Sequence, residues 1–161
     1  HCNLYTGSSG VLTGLDSDFA NGAAVKVVSG TDYLGSYTVG SAEVDVSAVD
    51  ATVTSAYVGY AFVPELKTLP IDGAISTGPL TGKQRRITSV VLDLFSTLAV
   101  SVDGTDMIVR NVTDDFALDR TAFTGKKEFF VLGFSRDPQV TISQSVPLDL
   151  QLNGMVMELA Y

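Results

Sequence analysis

Paired carboxylates are the residues of this sequence with the most obvious capacity for chemistry. They occur as Asp16-x-Asp18, as Asp103-Gly-Thr-Asp106 and as Asp114-Asp115. Two carboxylates across a cleft serve a glycosidase, and several oxygen ligands hold calcium. However, Asp beside Gly or Ser is what β-turns and helix caps require, and no cluster has the spacing of a helix-loop-helix calcium loop. The sequence therefore predicts turns here, and a carboxylate-based glycosidase is the weaker alternative.

Imidazole and thiol groups are nearly absent from the chain. His1 is the single histidine and Cys2 the single cysteine. One chain therefore cannot build a Ser-His or Cys-His pair, an internal disulfide or a thiolate zinc site. We expect a protein that is not an enzyme, with no catalytic, cofactor-binding or metal-binding residues and no cofactor.

Charge is distributed unevenly along the sequence. The formal net charge is −8; residues 1–82 carry eight acidic and two basic side chains, and residues 83–161 carry ten and eight. The basic side chains gather at Lys83-Gln-Arg-Arg86 and Lys126-Lys127. Because nucleic-acid binding relies on clustered Lys and Arg, we expect no specific nucleic-acid binding. The 83–86 run is predicted to be the charged start of a strand, in solvent or paired across a subunit boundary; phosphate binding is the alternative.

Aromatic residues offer a second candidate surface. The chain has six Tyr, eight Phe and no Trp, which gives little support for a sugar-binding platform. Tyr57, Tyr60 and Phe62 cluster in sequence, and strand alternation places Tyr57 on one face and the other two on the opposite face. Core packing is their expected use.

The pattern along the chain is that of β-strands. Short segments rich in Val, Ile, Thr, Tyr and Phe recur between Gly, Asp, Asn and Ser, and helical spacing is rare. Turn chemistry occurs at Asn21-Gly22 and Ser29-Gly30. The one helix candidate is 115–123, with a loop as its alternative. The predicted strands are 24–28, 34–39, 43–46, 57–62, 86–95, 98–102, 107–109, 129–133, 139–143 and 148–159.

Two of these strands carry the clearest patterns. Strand 86–95 has apolar residues on both faces, which predicts that both are partly buried. In segment 148–159, Leu148, Leu150 and Leu152 alternate with polar residues, as in a half-buried strand. Asn153-Gly154 interrupts this segment as either a hairpin turn or a bulge, and the residues alone leave both open.

These observations predict an all-β protein with at most one short helix. We expect a small antiparallel β subdomain over 1–62 and a larger antiparallel β sandwich or barrel over 63–161, joined near Pro64–Pro70, with a second hinge candidate at 75–82. The longest apolar run falls far short of the ~20 residues of a membrane helix, so we expect a soluble domain without membrane contact. The chain starts without Met or a signal-peptide pattern, and we expect it to be a segment of a longer protein.

Several segments, in order, resemble the tail nozzle family of short-tailed bacteriophages, also called tail tubular protein B. The similar segments are Thr13-Gly-Leu-Asp16, Asn21-Gly-Ala-Ala-Val-Lys-Val27, Ala56-Tyr-Val-Gly-Tyr-Ala-Phe-Val-Pro-Glu-Leu-Lys-Thr-Leu-Pro-Ile71, Gly82-Lys-Gln-Arg-Arg-Ile-Thr88, Pro138-Gln-Val-Thr-Ile142 and the Leu-rich C-terminal strand. Together they span nearly the whole chain. In that family the last strand tends to run without a turn, so the resemblance favours a bulge at Asn153-Gly154.

The resemblance implies a structural component of a bacteriophage or prophage tail. Members of the family form a ring, commonly of six copies, around the channel through which the genome leaves. The expected partners are other copies of the chain and neighbouring tail proteins, and the expected location is the virion, after synthesis in the bacterial cytoplasm. The matched residues are framework residues, so no catalytic or binding role is transferred to them. The alternative from another class is a phage-borne module that binds a host receptor or glycan.

Overall fold

A computed structural model describes residues 2–71, 74–75, 78–79, 84–107 and 119–160. Within these residues the chain forms β-strands and one short 3-10 helix, and every strand pair is antiparallel. The all-β fold class predicted from the alternation is therefore confirmed. The chain folds into two compact units.

The first unit is built around one six-stranded sheet with the order β4-β3-β6-β1-β2-β5. A 3-10 helix, Leu15–Ser17, follows the second strand. Leu12, Val27 and Val58 are among its fully buried side chains and lie in one apolar cluster. The six strands are β1 (Cys2–Ser8), β2 (Val11–Thr13), β3 (Ala24–Ser29), β4 (Asp32–Thr38), β5 (Glu43–Asp45) and β6 (Ser55–Tyr60).

Two-residue turns close the hairpins of this sheet. Ser8 pairs with Val11, and the intervening Ser9 and Gly10 have φ values of 54° and 79°. Positive φ at both central positions is typical of a type I′ turn, whose twist matches that of paired strands. Gly10 also fits a tight site, because a Cβ there would lie 2.7 Å from the Cα of Ser47.

The second unit contains a three-stranded sheet, β13-β10-β15, and a four-stranded sheet, β12-β11-β14-β7. A two-stranded ladder, β8 with β9, lies between undescribed segments. The strands are β7 (Glu65–Lys67), β8 (Ala74–Ile75), β9 (Gly78–Pro79), β10 (Arg86–Thr97), β11 (Ser101–Val102), β12 (Thr105–Asp106), β13 (Phe123–Phe130), β14 (Thr141–Ser143) and β15 (Leu152–Ala160).

The two larger sheets of the second unit share one apolar core. Val90 and Leu92 of β10 are fully buried and cluster with Ile142 of β14. Val91, between the first two, pairs with Glu128 and Val156, and Val156 is exposed. One face of β10 is thus core and the other is only partly covered.

Two register shifts explain departures from simple alternation in β10 and β15. A shift between Ile87 and Ser89 allows Ile87 to be buried with the core residues, although alternation places it on the opposite face. A second shift leaves Asn153 opposite no residue, because Asp93 pairs with Gly154 and Leu94 with Leu152. β15 therefore continues through Asn153-Gly154 as a bulged strand, as the resemblance favours.

Other predicted elements need correction. Residues 119–122 are not helical and Phe123 begins β13, so the proposed helix does not extend to residue 123; its residues 115–118 lie outside the described part. The strand predicted at 129–133 overlaps β13 only at residues 129–130, where β13 ends. β12 ends just before the strand predicted at 107–109, and residues 108–109 of that prediction lie outside the described part. Most of the hinge candidate at 75–82 also lies outside the described part. The sequence patterns missed β1, β2, β7, β8, β9 and β12.

The unit boundary is more complex than one division of the chain. The first unit holds residues up to Val63 together with 119–121 and Val146–Leu148. The remaining described residues, from Pro64 onward, belong to the second unit. Separate pieces of the C-terminal half thus belong to the first unit, whereas the predicted domains 1–62 and 63–161 are each continuous.

Candidate functional site

The Asp103–Asp106 cluster forms a hairpin turn between β11 and β12. Asp103 and Gly104 have φ values of 47° and 79°, again typical of a type I′ turn. The Asp103 carboxylate accepts a hydrogen bond from the Thr141 backbone N–H at 2.8 Å. It therefore serves to join the hairpin to β14. Asp114 and Asp115 lie outside the described residues.

The Asp16–Asp18 cluster lies at the 3-10 helix. Asp18 accepts hydrogen bonds from the Tyr5 hydroxyl and, at 2.8 Å, from the Asn3 amide. The Tyr5 hydrogen bond and then the Asn3 amide lower the pKa of Asp18 below its usual value. Burial first, and Asp18 second, raise the pKa of Tyr5. An ionised Asp18 that fixes a buried phenol is a structural arrangement.

Neither a metal-binding cluster nor a membrane-spanning helix occurs in the described part of the chain. Among the described side chains, His, Cys, Asp and Glu do not gather into any group of three that would hold a metal ion. The same residues contain no helix of the length and hydropathy needed to cross a bilayer.

The basic run differs from its prediction at one residue. Arg85 is 2% exposed, so it is not part of a solvated charged surface. Its backbone N–H and C=O pair with Ser135 at 2.9 and 2.8 Å. Arg86 is exposed, begins β10 as predicted, and lies over the ring of Phe134 at 5.2 Å. Lys83 lies outside the described residues. The run is therefore an anchoring point for the segment around residue 134.

The aromatic cluster is not fully used for core packing. Phe19 is buried between Tyr5 and Tyr60, with ring centroids 6.0 and 5.0 Å away. Tyr57 is 52% exposed, and Phe62 is exposed as well. The expectation of core packing is thus wrong for Tyr57 and Phe62. It holds only in part for Tyr60, whose ring packs on Phe19 but whose side chain is 49% exposed.

Tyr57 belongs to a row of side chains on the outer face of the first unit's sheet. It pairs with Leu4 of β1 and with Val28 of β3, and Val28 pairs with Tyr33 of β4. Paired residues point to the same face, so the four side chains form a row across four strands. Lys26 lies 5.8 Å from the centre of the Tyr33 ring.

A larger exposed apolar feature is the connection that follows β13, the segment 131–134, which we call the apolar loop. Leu132 is 93% exposed and Phe134 is 65% exposed. The loop is held at both ends, because Val131 N–H donates to Thr88 O at 3.2 Å and Ser135 N–H donates to Arg85 O. Gly133 has a φ of 117°, which suits glycine. The loop thus runs beside the start of β10, with both of its ends hydrogen-bonded to that part of the chain.

An apolar groove lies elsewhere on the same unit. It has a volume of about 260 Å³ and is lined mainly by Pro64, Leu66, Ile142, Leu150 and Leu152. Ile142 belongs to the core, and the two leucines of 150–152 pack against it. Leu66 is exposed on β7, the edge strand of its sheet. The groove is therefore an opening onto the core of the second unit.

A depression of about 350 Å³ lies beneath the apolar loop. Its lining includes Lys67, Asp137 and Gln139 along with the loop itself. The Gln139 amide donates to the backbone oxygen of Thr68, the residue that follows β7, at 2.9 Å.

Sequence reasoning missed both the apolar loop and the groove. Residues 129–133 were expected to form a strand, and such a strand would bury every second apolar residue. The signal was the pair Gly133 and Pro138, two residues that interrupt strands, with Ser and charged residues between them. The groove joins residues from three separate segments, which no sequence spacing indicates.

The comparisons with known proteins leave the family of this chain unassigned. No protein-family model matches the sequence, and a search of curated proteins finds no match either.

Proposed function

We propose that this chain is a non-enzymatic structural component of a bacteriophage or prophage tail, part of a ring-forming nozzle protein around the genome exit channel. The observation that carries the proposal is the exposure of large apolar side chains on an otherwise well-packed second unit. Leu132, Leu69 (84% exposed) and Phe134 lie outside the apolar core of that unit. Exposed apolar patches often mark surfaces that a partner covers, and Leu132 and Phe134 lie close together on one segment.

The resemblance to the nozzle family supplies the identity of the assembly. Two of the segments that carry it fall where assembly contacts are to be expected: Leu66-x-x-Leu69-Pro70 begins on edge strand β7, and Arg85-Arg86 anchors the apolar loop. Edge strands and projecting loops are common places for subunit contacts. Partners of the proposed assembly are other copies of the chain, six in the commonest family arrangement, and neighbouring tail proteins in the virion.

The charge of the chain is compatible with this role. An acidic protein with net charge −8 repels phosphate over about one Debye length, ~8 Å at physiological salt. A channel protein that bound the nucleic acid tightly would slow the exit of the genome.

The proposal is tested by measuring the mass of the full-length gene product by light scattering under assembly conditions. A closed oligomer, seen as a ring by electron microscopy, is the expected result. A protein that remains monomeric under those conditions would count against the nozzle assignment, as would its absence from purified tail particles.

A second candidate, a glycan- or receptor-binding module, is favoured by the row Leu4–Tyr57–Val28–Tyr33 on the first unit. Leu4 and Tyr57 of this row are exposed, and Val28 and Tyr33 are half-buried. Aromatic faces with apolar neighbours can stack against sugar rings. Its test is a glycan array: reproducible binding that is lost in Tyr57→Ala and kept in Phe62→Ala would rank this function first. Phe62 is a matched control because it is exposed but outside the row.

A further inference from the structure

The second unit carries two exposed apolar features, the apolar loop and the groove. The apolar loop leaves the side chains of Leu132 and Phe134 exposed, and the groove bounded by Pro64, Leu66 and Leu150 is open. The dimensions are compatible, since an apolar cavity of about 150 Å³ accommodates a benzene ring and the groove has about 260 Å³.

The two features occupy different positions along β10. The loop is anchored at Arg85 and Thr88, at the start of the strand. Leu152 of the groove pairs with Leu94, near its end. Six residues from Thr88 to Leu94 correspond to roughly 20 Å at strand spacing. The loop anchors and Leu152 are therefore separated along β10, although both features adjoin β7, with Lys67 lining the depression at the loop and Leu66 lining the groove.

The charges around the two features are complementary. Arg86 and Arg136 are exposed beside the loop, where Asp137 is the neighbouring acid. Glu65 lines the groove, and exposed Asp149 precedes Leu150 of its lining. Opposite charges at the rim of an apolar contact steer association and fix its orientation.

We propose that a second copy of this chain inserts its apolar loop into this groove, so that copies associate head to tail. Leu132 and Phe134 fill the groove against Leu66, Leu150 and Leu152, and Arg86 faces Glu65 across the rim. Such a heterologous contact uses different surfaces on the two copies and closes into a ring when the rotation between them allows. The inference rests on the proposed function, because it names the contact between neighbouring subunits of that ring.

The test is disulfide trapping in a Cys2→Ser background, because Cys2 is exposed. Two chains are prepared, one with Leu132→Cys and one with Leu66→Cys, and are oxidised separately and as a mixture at high concentration. Mixed dimers of the Leu132→Cys and Leu66→Cys chains are expected to form about tenfold faster than mixed dimers of the control pair, Val156→Cys with Leu66→Cys. The reason is that contact between the copies raises the effective concentration of the thiols. Val156 is a suitable control because it is an exposed aliphatic residue on the outer face of β15.

The geometry of association is tested with a chain that carries both Leu132→Cys and Leu66→Cys. A head-to-tail contact yields trimers and larger cross-linked species, whereas a two-fold contact stops at a doubly linked dimer. Equal rates for the test and control pairs, or a product that stops at the dimer, would overturn the proposal.

Charge reversal provides a second readout. Arg86→Glu in the Leu132→Cys chain is expected to lower the rate of mixed dimer formation several-fold, and Glu65→Arg in the Leu66→Cys chain to restore it. Reversal without any effect would contradict the assigned orientation. If the cross-link forms but the full-length protein is absent from tail particles, the proposed function is refuted and the contact is kept. If the full-length protein forms rings but the cross-link does not form, the contact is refuted and the proposed function is kept.

Discussion

At the scale of single residues, Asp18 shows how a carboxylate in this chain acts as a structural acceptor. Its hydrogen bonds from Tyr5 and Asn3 join the 3-10 helix region to β1. The pKa of Asp18 is lowered by these bonds, so the ionised form is the one that the fold favours. Asp45 and Asp50, whose pKa values are also lowered by Ser47 and Thr52, do the same in turns.

Asp18→Asn should therefore make the free energy of unfolding less dependent on pH in the acidic range. An Asp whose folded pKa is below its unfolded value of about 3.9 stabilises the fold above that pH, and this contribution is lost as the pH falls through the folded pKa. Urea unfolding should thus show the variant less stable than the wild type at pH 7, with the difference shrinking towards about pH 2 as Asp18 becomes protonated. Exposed Asp16→Asn is the control. An equal deficit at both pH values would contradict the assignment.

At the scale of elements, β10 organises the second unit. It is the central strand of its sheet, and its residues alternate between the core and the partly covered face after the shift at residues 87–89. The neighbouring valines Val90 and Val91 differ in environment but not in size, since only Val90 is fully buried.

Val90→Ala should consequently destabilise the protein by about 2 kcal/mol, the value of two buried methyl groups plus part of a cavity. Val91→Ala should cost well under about 1 kcal/mol, because its side chain is only partly removed from water. Chemical denaturation of the two variants measures the difference. Similar losses from both would show that the outer face is buried as deeply as the core.

The sequence predicts the elements whose patterns are local and misses those that depend on distant residues. Strand 86–95 follows from local alternation, and the turn at Asp103-Gly104 follows from local turn chemistry. At Asn153-Gly154 the residues alone leave a hairpin turn and a bulge both open, and the resemblance favours the bulge. β1 and β7 were missed because their polar or interrupted patterns become strands only through pairing with distant residues, as when Glu65 pairs with Ser143. The burial of Arg85 has the same origin, because Ser135 lies fifty positions along the chain.

At the scale of the whole molecule, the two apolar clusters share no residue. Val27 and Val58 belong to the cluster of the first unit, and Val90 and Leu92 to that of the second. Each cluster is built mainly by the strands of its own unit. Stability is therefore expected to be a property of each unit, with its own transition.

Two local variants test this expectation. Gly10→Ala places a Cβ against the backbone of Ser47 at a positive φ, and so should destabilise the first unit by more than about 1 kcal/mol. In calorimetry, Gly10→Ala should lower the temperature of one transition and Val90→Ala that of the other. Gly14→Ala is the matched control for the first, because it has a similar φ of 81° but open space around the added Cβ. A single transition whose temperature is lowered equally by both variants would mean that the two cores unfold as one cooperative structure.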